Sequence, residues 1–178
     1  MRIVAGTFKS RIIEAPSGTN TRPSSDKTRQ AIFNVIAPYI YDAVVLDIFS
    51  GSGALSIEAI SRGAKNATLI DNNQEAVKTI NSNIKNLKIE KQCNVIFDDY
   101  KVISTLNNKF DIILLDPPYK LNVIGEILDI IKEKDLLNDN GVIVFESDEE
   151  HSIKYNIDGY NIKIKKYGIA YVNFLYKI

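Results

Sequence analysis

Residues 110–120 read FDIILLDPPYK. The run from Phe110 to Leu115 is short, rich in Ile and Leu and flanked by charge, which predicts an interior strand of a parallel sheet rather than a half-exposed one. Asp116 then falls at the carboxyl end of that strand. Pro117 and Pro118 can neither continue a ladder nor donate an N–H, so the chain must leave the sheet stiffly with its carbonyls outward. Carboxyl ends of parallel strands are where open α/β sheets place ligands. A strand followed by an ordinary proline-rich turn would also account for these residues taken alone, so the rest of the chain has to decide.

Outward from this strand, strands and helices alternate. AVVLDIF (43–49), NATLID (66–71), CNVIF (93–97) and GVIVFES (141–147) read as further strands. ALSIEAISRG (54–63) reads as a helix closed by Gly63, and the segment from about Asn73 to Leu87 as another, with Ala76, Val77, Ile80, Ile84 and Leu87 on one side. A short helix is expected after Asp99, one more around Val123 to Lys132, and two strands turning at Gly168 in the tail from Tyr160 to Ile178. Such alternation predicts an α/β fold, Rossmann-like, with a central, mostly parallel seven-stranded sheet that ends in an antiparallel hairpin. Upstream, RIVAG and RIIEA predict two short strands around the basic turn Thr7 to Ser10, followed by the polar link PSGTNTRPSS. Ser24 or Ser25 can cap a helix with Asp26 in its first turn, which Pro38 should stop. Residues 1–24 are therefore expected to form a small N-terminal hairpin and link, and residues 25–178 the main domain.

The totals fit one domain of an ordinary globular protein: 178 residues, 45% apolar and 25% charged. The one cysteine, Cys93, cannot form an internal disulfide and is expected in the core. With the one histidine, His151, it makes no metal cluster, so no metal and a reducing, cytoplasmic setting are expected. No stretch reaches the roughly 18 apolar residues of a membrane span, and MRIVAGTFKSR has no signal-peptide core. His151 is expected in a surface loop. The formal net charge of zero hides a segregation: residues 1–30 carry +4, residues 31–150 carry −8 and residues 151–178 carry +4. Basic ends on an acidic body suit a polyanionic partner, although solvated lysines on edge strands would also explain them.

LDIFSGSGALSIEA (46–59) is a glycine-rich turn between a strand and its helix. Gly51 and Gly53 allow close approach of a ligand to the backbone, and the helix behind them directs N–H groups and its positive end at it. The third position of a GxGxxG pattern is Ser56, and no GK[ST] follows, so a pyrophosphate cradle is the weaker reading. Asp71 closes the next strand, where a carboxylate can accept both hydroxyls of a ribose. Asp47 can face a cationic or hydroxyl-bearing part of a ligand, and Asp99 an adenine amino group. A carboxylate-lined glycine pocket without phosphate-binding cations suits an adenosine that lacks phosphates, and S-adenosylmethionine is that ligand.

RIVAGTFKSRIIEAP (2–16), TRPSSDKTRQAIFNVI (21–36), LDIFSGSGALSIEAISRGA (46–64), DIILLDPPY (111–119) and YGIAYVNFLY (167–176) together resemble the RsmD-like bacterial methyltransferases, which modify the exocyclic N2 of one guanine in 16S ribosomal RNA. The resemblance runs over nearly the whole chain. It departs in the first hairpin, where Ala5-Gly6 and Ser10-Arg11 stand for a usual Gly-Gly and Gly-Arg. The resemblance implies a class I methyltransferase fold and S-adenosylmethionine as cofactor, with Asp47, Phe49, Gly51, Gly53, Asp71, Asn72, Asp99 and Asp116 contacting it. It implies Asp116, Pro117, Pro118 and Tyr119 as the catalytic element. A guanine amino group has its lone pair delocalised into the ring and needs orientation more than a strong base. The Asp116 carboxylate and Pro117 carbonyl can accept its two hydrogens, and Tyr119 can stack on an extracted base. Arg2, Lys9, Arg11, Arg22 and Arg29 are the expected RNA grip. The expected partner is 16S rRNA in the small subunit or an assembly intermediate, with no membrane and a monomeric enzyme.

Three alternatives stay open on the sequence. An adenine-N6 DNA methyltransferase also uses a [DN]PPY element but normally carries a separate target-recognition region, for which this chain has no room. A protein-glutamine methyltransferase fits the basic termini less well. A nucleotide-binding or RNA-assembly module without catalysis would not need Asp116 with Tyr119.

Overall fold

The computed structural model describes residues 1–17, 25–118, 121–147 and 157–178. Helices α1 (Asp26–Val35) and α2 (Ala37–Ile40) precede the alternating series. That series runs β1 (Val44–Ile48), α3 (Ala54–Ser61), β2 (Asn66–Asp71), α4 (Gln74–Leu87), β3 (Cys93–Phe97), β4 (Phe110–Leu115), α5 (Ile124–Glu133) and β5 (Leu137–Ser147). The hairpin β6 (Tyr160–Tyr167) and β7 (Ala170–Lys177) closes it; a short 3-10 turn, Glu90–Gln92, precedes β3, and a second 3-10 segment, Tyr100–Thr105, stands where the sequence predicts a short helix after Asp99. The seven strands lie in the order β3-β2-β1-β4-β5-β7-β6. All neighbours from β3 to β5 are parallel, and β7 pairs antiparallel with both β5 and β6.

Why the strands read as apolar runs is visible in the two layers they separate. Val45, Leu69, Ile112, Leu114, Val142, Val144, Val172 and Phe174 pack against α1, α2, α3 and α4 through Ile32, Phe33, Ile36, Ile57, Ile80 and Ile84. Leu46, Ile48, Ile70, Phe110, Ile113, Leu115, Ile143 and Phe145 face the other way, onto Ile103 and the α5 residues Ile127, Leu128 and Ile131. A strand buried on both faces has no polar side to display, so β4 and the second half of β5 carry almost unbroken Ile, Leu, Val and Phe. Asp47 alternates with these residues on β1 and shares the α3 side with Val45.

The expected caps and breaks are close to those observed. The Ser25 side chain accepts from Thr28 N and caps α1, while Asn73 accepts from the N–H groups of Glu75 and Ala76 and caps α4. Ser24 lies outside the described residues. Pro38 does not stop α1. That helix ends at Val35, and Pro38 sits in the first turn of α2, where its missing N–H costs no helical bond.

The two strands expected for residues 2–6 and 11–15 reduce to one bridge, Arg2 with Ile12. The reason is that the N–H groups that would extend the ladder are taken by the main body. Val4 N and Ala5 N donate to the Glu58 carboxylate of α3 at 2.8 and 3.0 Å, and Thr7 N donates to Ser61 O at 2.7 Å. Farther on, Glu14 N donates to Asn83 Oδ1 of α4. Ile3 and Ile13 are buried in the same cluster as Ile32 and Phe33. The segment lies outside the β/α alternation in sequence order, yet its apolar side chains join the main core.

Candidate active site

A cavity of about 780 Å³ opens at the carboxyl ends of β1, β2 and β4. Its wall begins with the loop after β1. Phe49 has φ 65° and Gly51 φ 58°, and Gly53, at φ 78°, is the N-cap of α3. A left-handed conformation costs a non-glycine residue roughly 1 kcal/mol, so Phe49 holds a strained backbone at the cavity edge. A Cβ added to Gly51 would meet nothing within 4 Å, so this backbone faces open space that a ligand can approach closely.

The loop is held by the carboxylate that closes the next strand. Asp71 Oδ2 accepts from Gly51 N at 2.9 Å and Oδ1 accepts from Asn73 N at 2.9 Å. Each oxygen keeps a lone pair for one further donor, which leaves room for the two hydroxyls of a ribose. Asp99 caps the 3-10 segment by accepting from Lys101 N, and it also borders the cavity. Tyr100 adds a wall that the sequence reading missed. Its ring lies 5.7 Å from that of Phe49, and its hydroxyl donates to Glu126 Oε2, a bond that raises the phenol to about 12.

Two carboxyl groups near the loop are held near neutrality. Asp47 is fully buried, and desolvation pushes it up to about 7 against hydrogen bonds from Ser56. Ser56 Oγ donates to Oδ2 at 2.7 Å, while Oδ1 has no partner among the described residues. Asp116, half-buried past the end of β4, also rises to about 7 through desolvation, with Glu146 and Asp47 adding repulsion. Two acceptors poised near neutrality would favour a cationic ligand beside them.

The expected residues sort cleanly. Phe49, Gly51, Asp71, Asn72, Asp99, Asp116 and Pro118 border the cavity, while Asp47, Gly53 and the buried Pro117 lie just behind it. Tyr119, Arg22 and His151 fall outside the described residues. Arg2, Lys9 and Arg11 are exposed. Arg29 requires a correction: it is 1% exposed and engaged with the Arg2 carbonyl, Asp26 and Glu58, so it cannot meet the phosphate of a docked strand. It borders the cavity instead, as do Met1, Ala15, Pro16, Ser52, Tyr100 and Lys101, none of which the sequence reading had placed there. Cys93 is partly buried against the core, and burial pushes its thiol up to about 12. Among the described residues no group of three or more His, Cys, Asp and Glu could hold a metal, and no helix is long and apolar enough to cross a membrane.

A family model described as "Conserved hypothetical protein 95" matches residues 1–176. The chain belongs to this family. Among its relatives, YlbH of Bacillus subtilis is 39% identical over 154 residues, covering 84% of each chain. "Ribosomal RNA small subunit methyltransferase D" of Escherichia coli is 31% identical over 153 residues, covering 86% of this chain and 77% of that one. The solved structure of yhhF from Escherichia coli superposes with a TM-score of 0.90 at 28% identity, over 99% of this chain and 97% of that one. The fold is that of the class I methyltransferases.

Family membership gives the departures in the first turn a physical meaning. Gly6 has φ 82°, and a Cβ there would lie 1.8 Å from Ser61 O, so glycine is required. Ser10, the position at which the resemblance leads to an expectation of glycine, has φ 69°. The turn keeps its shape with a residue that is strained in it.

Proposed function

We propose that this protein transfers a methyl group from S-adenosylmethionine to the exocyclic N2 amine of one guanine in the 16S rRNA of the small ribosomal subunit. The observation that carries the reading is that Asp116, at the end of β4, borders the same cavity as the left-handed Phe49–Gly51 loop and the Asp71 carboxylate. The residues fit the cofactor: the cavity has a backbone face open at Gly51, a ribose acceptor at Asp71, a further carboxylate at Asp99 and the orphaned acceptor Asp47 Oδ1 behind the loop. When bound, the cofactor supplies an electrophilic methyl group on a sulfonium sulfur.

The chain's own groups then do three things. Asp71 and Asp99 orient the adenosine, and Phe49 and Tyr100 form an aromatic wall. Asp116 and the Pro117 carbonyl accept the two hydrogens of the target amine, so that its lone pair localises on nitrogen and points at the methyl group. A carboxylate accepts better than a carboxylic acid, so Asp116 works in its ionised form, and a sulfonium nearby lowers it from about 7. Pro118 O accepts from Leu121 N and holds the chain beyond the proline pair. Tyr119 is proposed to stack on the extracted base. Residues 1–24, through Arg2, Lys9, Arg11 and Arg22, form an RNA-gripping extension of the 25–178 domain, which works as a cytoplasmic monomer.

Labelled S-adenosylmethionine incubated with unmodified small subunits and with naked 16S rRNA, followed by nucleoside analysis, tests this. N2-methylguanosine is expected. N6-methyladenosine, label on protein or no transfer would each replace the reading.

A further inference from the structure

A second groove, of about 480 Å³, lies at the β6 edge of the sheet, away from the catalytic cavity. On this face Ile32, Phe33, Ile36 and Ile40 join Val142, Val144, Val172 and Phe174 of β5 and β7 in the core. The edge strand lies beyond them. Its Tyr160 and Ile162 turn to the opposite layer, so Lys163, Lys165 and Tyr167 fall on the α1–α2 side, where Tyr167 packs against that core. These three border the groove together with Tyr176 of β7 and Tyr39 of α2.

The chemistry of the groove narrows what it can take. Two lysines and no carboxylate line it, in a chain whose 22 Lys and Arg are matched by 22 Asp and Glu. Among the described residues neither lysine is in an ion pair. The Tyr39 and Tyr176 rings are half-buried, 5.7 Å apart and tilted by 38°. Lysines that merely blunt an edge strand need no aromatic neighbours. Cations beside paired rings suit a single nucleic-acid strand, with phosphates on the ammonium groups and bases on the ring faces.

The register places this groove beside the reaction. Leu115 pairs with Phe145, Phe145 with Asn173 and Asn173 with Ile164, so Lys165 stands level with Asp116. Three strand intervals separate them, about 14 Å at about 4.8 Å each. The N-terminal segment packs on the same face through α3 and α4, on the β1 side of Asp116. Asp116 thus lies between two basic regions. We propose that the groove holds the single RNA strand next to the target guanine, with a base on the Tyr39–Tyr176 pair and phosphates on Lys163 and Lys165; this rests on the RNA methyltransferase reading above.

Binding titrations at several salt concentrations test it, with naked 16S rRNA, poly(U) and a fully paired RNA duplex as probes. The double variant Lys163→Gln, Lys165→Gln should bind poly(U) and 16S rRNA more weakly and flatten the log-affinity against log-salt plot by about 1.4, given roughly 0.7 per phosphate on a single strand. Tyr39→Leu should weaken poly(U) at least about fivefold at unchanged slope, the scale of one base stacked on a ring, and leave the duplex nearly unaffected. Both variants should keep wild-type affinity for S-adenosylhomocysteine. Unchanged affinity and slope in the double variant overturns the proposal, whether or not Tyr39→Leu folds. Equal losses on poly(U) and duplex in both variants overturn it too, since they would mark surface charge without stacking. So does a crosslinker at position 163 that captures a ribosomal protein in small subunits, or a dimer that the double variant disperses. Methyl transfer to 16S rRNA with both variants indifferent removes the groove alone, whereas RNA held in the groove without any transfer removes the enzymatic reading alone.

Discussion

At Asp116 the chemistry and the stability pull in opposite directions. In the unfolded chain an Asp titrates near 3.9, whereas here it sits at about 7 because burial and Glu146 oppose its charge. Between those values the folded state binds more protons than the unfolded one, so the ligand-free protein loses stability as the pH rises from about 4 to 7. Asp116→Asn should abolish that part of the slope and be more stable than the wild type at pH 8 by about 1–2 kcal/mol, as thermal melts at pH 5 and pH 8 would show. The same variant should lose transfer activity by on the order of a hundredfold while still binding cofactor, because oriented acceptors act mainly in the transition state; near-normal turnover would remove Asp116 from the mechanism. Asp71→Ala should weaken S-adenosylmethionine by about 1.5–3 kcal/mol in calorimetry, the worth of hydrogen bonds to a charged group, with unchanged affinity moving the ribose elsewhere. Asp71 and Asp116 were legible because each closes an apolar run, which announces a strand end. Arg29 was misread because a basic residue in a basic segment looks like surface. Its burial depends on Glu58, whose side chain accepts from residues 54 and 53 positions away, and no local pattern shows that.

The elements followed the same division between local and distant causes. The apolar runs of β1, β2 and β4, the Asn73 cap of α4 and the Gly168 turn are written in adjacent residues, and they were readable. The first hairpin was only half readable, since its alternating apolar pattern suggests two strands while Glu58 and Ser61, far along the chain, capture the N–H groups that pairing would need. Ser10 offers a direct measure of that turn. At φ 69° it bears the cost that glycine avoids, so Ser10→Gly should stabilise the protein by about 0.5–1 kcal/mol, read as a rise in melting temperature. Gly6→Ala should do the opposite and more strongly, because its Cβ would collide with the Ser61 carbonyl. A neutral Gly6→Ala would mean that the turn does not sit on α3 as described.

Over the whole molecule, charge and topology set how it meets a large anionic partner. Residues 1–30 carry +4 against a −8 middle, and Arg2, Lys9 and Arg11 are exposed on the segment that also borders the cavity. Changing Lys9 and Arg11 to Ala should lower RNA affinity and flatten the log-affinity against log-salt plot by about 1–1.5, given roughly 0.7 per phosphate on a single strand. Cofactor affinity should not change. An unchanged slope with unchanged affinity would leave these as ordinary solvated charges. The order of strands has a different kind of consequence. β7 sits inside the sheet, between β5 and β6, although it is the last strand in the chain. While the polypeptide is being synthesised, β5 must present an open edge, and β6 must wait without its pairing partner, until residues 170–177 arrive. A message broken shortly before that segment would therefore yield a protein without β7, its β6 left unpaired and the hydrophobic β5 exposed as the edge of a five-stranded sheet, open to pairing with other nascent chains.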